Sequence, residues 1–166
     1  MTITRAHAVS HPMIYVTTRI SMDPAEISAK VGKAFDILQG FLVQNHITAV
    51  GAPLAIYRDW NGKTMAMDVG FPVTAVDVSK ATGEVLAGKS PEGPAARAVH
   101  KGSYASLRDT YGSMEADIRK AGWKSTGTTW EVYVKGPGMA EEADYETVIY
   151  MQLDAADLEL PGAVAQ

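Results

Sequence analysis

Two helical stretches, each preceded by one extended segment and followed by two more, constrain this 166-residue chain more than any other feature. The first is announced by Asp23-Pro24-Ala25-Glu26: an acid suited to the N-cap, a proline at the first helical position, and a glutamate three residues after the cap. Ile27, Val31, Ala34, Phe35, Leu38, Phe41 and Leu42 follow at helical spacing, which predicts a helix running to about Asn45. The second starts near Ser103, puts Leu107, Tyr111, Met114, Ile118 and Ala121 on one face, and stops at Gly122. Asp109, Glu115, Asp117, Arg119 and Lys120 make its solvated side.

The extended segments complete the pattern. Residues 13–20 precede the first helix, and residues 52–57 and 64–73 follow it. Residues 96–100 precede the second, and residues 129–134 and 145–153 follow it. A strand-helix-strand-strand unit this short cannot bury its sheet and helix alone, so the two halves are expected to pack on each other. The expected fold class is α+β: duplicated strand-helix-strand-strand repeats forming a pseudo-twofold antiparallel sheet with a central ligand cleft. Residues 1–166 then form a single domain, with repeat one at about 10–76, a linker at about 77–94, repeat two at about 95–154 and a C-terminal tail over 155–166. Gly83, Gly88, Pro91, Gly93 and Pro94 give the linker its irregular character.

One strand carries a carboxylate in apolar company. In Thr129-Trp130-Glu131-Val132-Tyr133-Val134, alternation sends Glu131 and Tyr133 to one face and Trp130, Val132 and Val134 to the other. Aligning the halves matches Ala55 and Tyr57 with Glu131 and Tyr133, and Leu54 and Ile56 with Trp130 and Val132. The apolar set is expected to face each half's own helix and the other set to face away. There a small residue opposite a carboxylate leaves room for a ligand; a register error of one residue inverts the assignment.

Composition narrows the function classes. With 46% hydrophobic and 20% charged residues the chain reads as an ordinary globular protein. A net charge of −4 and scattered Lys and Arg give no footprint for nucleic acid. There is no cysteine, which excludes disulfides and thiolate chemistry. No apolar run approaches the ~18 residues of a membrane span, and residues 1–5 do not open a signal peptide, so no membrane association and a cytoplasmic location are expected. His7, His11, His46 and His100 lack ligand spacing, and there is neither a Gly-x-Ser-x-Gly elbow nor a phosphate-cradling loop. No metal or cofactor is expected.

Four stretches, in order, carry a resemblance: residues 51–57 (Gly-Ala-Pro-Leu-Ala-Ile-Tyr), residues 68–73 (Asp-Val-Gly-Phe-Pro-Val), His100-Lys101-Gly102-Ser103-Tyr104 leading to Leu107 and Tyr111, and Trp130-Glu131-Val132-Tyr133 leading to residues 147–150. Together they span nearly the whole chain. The sequence resembles the GyrI-like small-molecule-binding family, also described as the effector-binding domain of AraC-type and MerR-type multidrug-sensing regulators. The resemblance implies a cleft that holds hydrophobic, often cationic compounds, with Glu131 meeting the ligand's charge and aromatic residues stacking around it. It also implies that some free-standing members hydrolyse cyclopropane-containing toxins with the same glutamate and a nearby tyrosine, and that others inhibit gyrase or sequester toxic compounds. The chain departs from the family pattern at Ser103, where proline is usual, at Asp68, where a longer acid is common, and at Ala66, where an acid is common. No DNA-binding segment precedes the domain, so transcriptional regulation within this polypeptide is not expected.

Three readings stay open at this point. In the first, the chain is a receptor or sequestering protein for a hydrophobic, cationic small molecule, with Glu131, Tyr133, Tyr57, Ala55, Tyr104, Asp68 and Tyr150 as ligand-binding residues. Tyr57, Tyr133 and Tyr150 also read as core tyrosines, Trp130 as core, and Trp60 and Trp123 as packing lids. Met65, Met67, Met114 and Met151 read as core filler or as the lining of an adaptable pocket. In the second, a hydrolase of strained electrophiles uses Glu131 on water and Tyr104 or Tyr111 to polarise a carbonyl. The third is a gyrase-inhibitor-like interaction module. The sequence does not speak to oligomeric state.

Overall fold

The computed structural model describes residues 3–154. In chain order its elements are strands β1 (Thr4–Ala8) and β2 (Pro12–Ile20), helix α1 (Pro24–Gln44), strands β3 (Leu54–Arg58) and β4 (Met65–Pro72), the one-turn helix α2 (Ala75–Val78), strands β5 (Leu86–Lys89) and β6 (Gly93–Lys101), helix α3 (Leu107–Ala121), and strands β7 (Ser125–Lys135) and β8 (Glu146–Leu153). The structure is α+β, and the strand pairings within each unit are antiparallel. The chain divides into two compact units: residues 9–91, and the residues on either side of them. The tail expected over 155–166 lies outside the described residues.

In residues 9–91, β4 lies between β3 and β2, and β5 pairs with the free side of β2. The Asp23 side chain accepts from the backbone N–H of Ala25 at 3.1 Å, so the N-cap read from the sequence forms. Glu26 does not return to the cap as a capping box would; its carboxylate accepts from the backbone and hydroxyl of Ser21 instead. Helix α1 ends at Gln44, with Asn45 as its C-cap. Phe35 of α1 meets Phe71 of β4 edge-on at 5.8 Å. Phe71 shares its face with Val69 and Met67, and the register brings Ala55 and Tyr57 of β3 to that same face. Helix α1 therefore covers the Ala55 and Tyr57 side, and Leu54 and Ile56 lie on the other. The segment read as a plain linker also supplies β5, and α2 straddles its start. Gly88 of β5 lies beside Tyr15, whose ring would stand 2.8 Å from an added Cβ, so only glycine fits without displacing it.

In the other unit β6 lies between β1 and β8, with β7 on the far side of β8. A 3-10 turn over Tyr104–Ser106 leads into α3, with the Ser103 hydroxyl accepting from the N–H of Ala105 at 3.1 Å. The serine that departs from the family pattern thus acts as a cap. Gly122 ends the helix at φ 78°, a left-handed conformation that suits glycine. Met114 and Ile118 of α3 pack into Ala96 and Ala98 of β6 and Ile149, Met151 and Leu153 of β8.

That packing fixes the orientation of β7. Glu131 pairs with Ile149 and Thr129 with Met151, so Glu131 and Tyr133 lie on the face that α3 covers. Trp130, on the opposite face, stacks on Tyr150 at 5.0 Å and 9°, with the Arg97 guanidinium 6.0 Å from the Tyr150 ring centre. The expected assignment of faces is thus inverted in both units. Alternation separates a strand into two faces, but the apolar stripes of neighbouring strands decide which face a helix takes.

Candidate functional site

Glu131 sits in the regularly paired middle of β7, between register irregularities before Thr129 and after Tyr133. Such breaks re-aim side chains where a sheet carries a site. Only 6% of Glu131 is exposed. The hydroxyl of Tyr111, one turn before Met114 on α3, donates to Oε2, and the hydroxyl of Tyr133 donates to Oε1 at 2.8 Å. Each carboxylate oxygen therefore holds one phenol. Tyr104 closes the neighbourhood: its ring meets Tyr133 edge-on at 5.9 Å and Tyr145 at 5.2 Å. Gly136, after β7, is buried against it, and a Cβ there would stand 2.9 Å from the Tyr104 hydroxyl.

The electrostatics follow from burial. Desolvation pushes the Glu131 carboxyl above its ordinary value of 4.5, while the Tyr111 and Tyr133 hydroxyls and then the His100 ring pull the other way. Burial, with smaller contributions from Tyr145 and Glu131, raises the Tyr104 phenol. A carboxyl raised in the fold contributes stability below its unfolded value and loses it as pH climbs through the folded one. The stability of Glu131→Gln relative to the parent should therefore grow from about pH 4.5 upward, read as the gap between urea midpoints across a pH series. Tyr111→Phe takes one donor from a buried carboxylate. A loss of roughly 1–3 kcal/mol is expected at neutral pH, shrinking in acid, and a flat pH response would count against the charged pair.

A second polar group lies on the same face of the sheet. His100 is buried with Nε2 2.9 Å from the Ser103 carbonyl and Nδ1 2.7 Å from the Thr110 hydroxyl. The carbonyl only accepts, so Nε2 carries a proton; Ser106 Oγ, 3.2 Å away, is itself bonded to the same carbonyl. The ring clamps β6 to the start of α3. A surface depression of about 410 Å³ runs past His100, Ser106 and Thr110, without Glu131 in its lining.

The structure brings Glu131, Tyr133, Tyr104 and Tyr111 together. Tyr150 is on the opposite face of the sheet, against Trp130 and Arg97. Ala55 and Tyr57 belong to the other unit, on the α1 side of β3, where Ala55 is fully buried. Asp68 lies on the reverse side of that sheet, held by Arg58 through Nε at 2.9 Å and Nη2 at 3.2 Å. Sequence reasoning missed Tyr145, Thr147 and the structural work of His100. The phase Leu107-Tyr111-Met114 did signal an inward Tyr111. Among the described residues no group of three His, Asp or Glu side chains is placed to hold a metal ion, and no helix is long and apolar enough to cross a membrane.

No protein-family model and no curated protein sequence matches the chain. Solved structures do. The C-terminal domain of EcmrR superposes with a TM-score of 0.76 at 19% identity, covering 92% of this chain and 97% of that one. In an EcmrR–DNA complex the TM-score is 0.79 at 19% identity, and the chain, covered over 92% of its length, spans only 57% of EcmrR. The chain has the fold of the EcmrR C-terminal domain. SAV2435 bound to tetraphenylphosphonium shares this architecture, with a TM-score of 0.67 at 9% identity over 96% of this chain and 98% of that one. So does a hydrolase from Listeria innocua, with a TM-score of 0.58 at 15% identity over 92% and 91%. At these identities the likeness is one of fold.

Proposed function

We propose that this protein binds a hydrophobic, cationic small molecule, with Glu131 as the charge anchor and Tyr104, Tyr111 and Tyr133 as aromatic walls. The observation that carries this reading is a carboxylate 6% exposed, with no cationic side chain bonded to it among the described residues and only phenols as donors. Hydrogen-bonded phenols keep such a carboxylate tolerable without neutralising it, so it remains a strong attractor for a desolvated cation. The aromatic faces add cation–π attraction of roughly 0.5–2 kcal/mol each. A ligand reaches the carboxylate by displacing a tyrosine hydroxyl. The tetraphenylphosphonium in SAV2435, on the same fold, supports this ligand chemistry.

A second reading is hydrolysis of a strained electrophile, with Glu131 acting on water and Tyr104 or Tyr111 as the polarising hydroxyl. It is favoured by the Glu131–Tyr111 contact and by the Listeria innocua hydrolase of the same fold. One experiment separates the two. The purified protein is incubated with lipophilic cations and strained electrophiles while melting temperature and ligand mass are followed. Stabilisation at unchanged ligand mass supports the receptor; gain of one water over many turnovers supports the hydrolase. Neither effect with any compound would sink both.

A further inference from the structure

We infer that the Thr147 hydroxyl is the second polar contact of the Glu131 site, and that the site prefers cations carrying N–H groups, protonated primary or secondary amines, over fully substituted cations of like shape. This rests on the proposed ligand role of Glu131. Thr147 lies in β8, wholly buried, and its Oγ1 has no hydrogen-bond partner among the described residues. Such a hydroxyl is a net cost to the fold, which a valine of the same shape would spare.

Its surroundings do not quiet it. The cross-strand neighbours of Thr147 are His100 and Tyr133. Both ring nitrogens of His100 are engaged by Ser103 and Thr110, and the Tyr133 hydroxyl is engaged by Glu131. Glu131 itself is the diagonal neighbour, since it pairs with Ile149 two residues further along β8. Diagonal positions on one face lie roughly 7–8 Å apart at their Cα atoms, a span that one ammonium nitrogen bridges through two side chains. Tyr133 stands opposite Thr147 and bonds Glu131, so its displacement uncovers both groups at once.

A protonated secondary amine then donates one N–H to the carboxylate and the other to Thr147 Oγ1. A quaternary cation matches the charge but leaves the hydroxyl unpaired, and sites built around a buried polar group discriminate strongly on that basis. The test is calorimetric titration with protonated dibenzylamine and with dibenzyldimethylammonium. The parent protein should prefer the secondary amine by about tenfold. Thr147→Val should erase that preference while changing quaternary affinity less than about twofold, with its melting temperature unchanged or raised; Thr147→Ser should keep the preference. Glu131→Gln should weaken both ligands. A preference that survives Thr147→Val, or equal losses for both cations, overturns the inference and spares the anchor role of Glu131. A clear fall in melting temperature in Thr147→Val shows the hydroxyl already satisfied in the framework and also overturns it. Failure of both dibenzyl cations to bind the parent, with other lipophilic cations binding, overturns the amine preference alone; failure of every cation overturns the ligand reading with it.

Discussion

In Glu131→Gln, affinity for a lipophilic cation falls by roughly ten- to a hundredfold, while a neutral ligand of the same shape binds about as before. The substitution preserves volume and leaves an amide that Tyr111 and Tyr133 can still bond, so the site changes in charge far more than in form. A hydrogen bond to an ionised partner is worth roughly 1.5–3 kcal/mol, and every 1.4 kcal/mol is about tenfold in affinity. The neutral ligand is the necessary control, because displacement of a tyrosine hydroxyl is common to both. Titration of the matched pair into parent and variant decides the matter. Equal losses would mean that Glu131 shapes the site and does not anchor charge.

Met114→Ala is the substitution expected to cost most stability, roughly 2–5 kcal/mol, or a fall of roughly 5–20 °C in melting temperature for a chain of this size. Met114 is fully buried, and its strand neighbours Ala96 and Ala98 are too short to close the space it would leave. The thioether fills what two alanines leave open, so the cavity persists and its cost is large. The loss also loosens Tyr111, one turn earlier, and with it the hydrogen bond that reaches Glu131 from the helix. Cation affinity should therefore drop along with the melting temperature. A loss under about 1 kcal/mol would show that α3 is held by other contacts.

Local signals carried much of the architecture. Asp23 and Pro24 opened α1, Gly122 closed α3, and the 3.6-residue phase turned Leu38, Met114, Ile118 and Tyr111 inward, although it also put Ala121 there, which is exposed, and missed the buried Thr110. These are short-range effects of capping, proline geometry and left-handed glycine, so they are readable from a few neighbouring residues. The two strands that escaped notice, β1 and β5, are short, and their only warrant is a distant partner. Thr4–Ala8 pairs with residues 93–97, and Leu86–Lys89 with residues 12–15. Nothing local to Leu86-Ala87-Gly88-Lys89 predicts a strand; β2 imposes it.

The site divides along the same line. Alternation by itself put Glu131 and Tyr133 on one face of one strand, and the family resemblance marked Glu131 within it. Alternation has no sign, however, and could not say that this face lies under α3. That was decided by Ile149, Met151 and Leu153 of β8, which dock the helix and, through the pairing of Glu131 with Ile149, carry the carboxylate beneath it. The same docking moved Tyr150 to the opposite side of the sheet, gave Glu131 a phenol from twenty residues earlier, and buried Thr147 between neighbours already bonded elsewhere. Which groups are partnered and which are left over is a property of three strands and a helix packed together. The sequence by itself determined the two long helices, the strands that flank them and the chemistry they hold; only tertiary packing imposed the short strands and decided which of those groups meet.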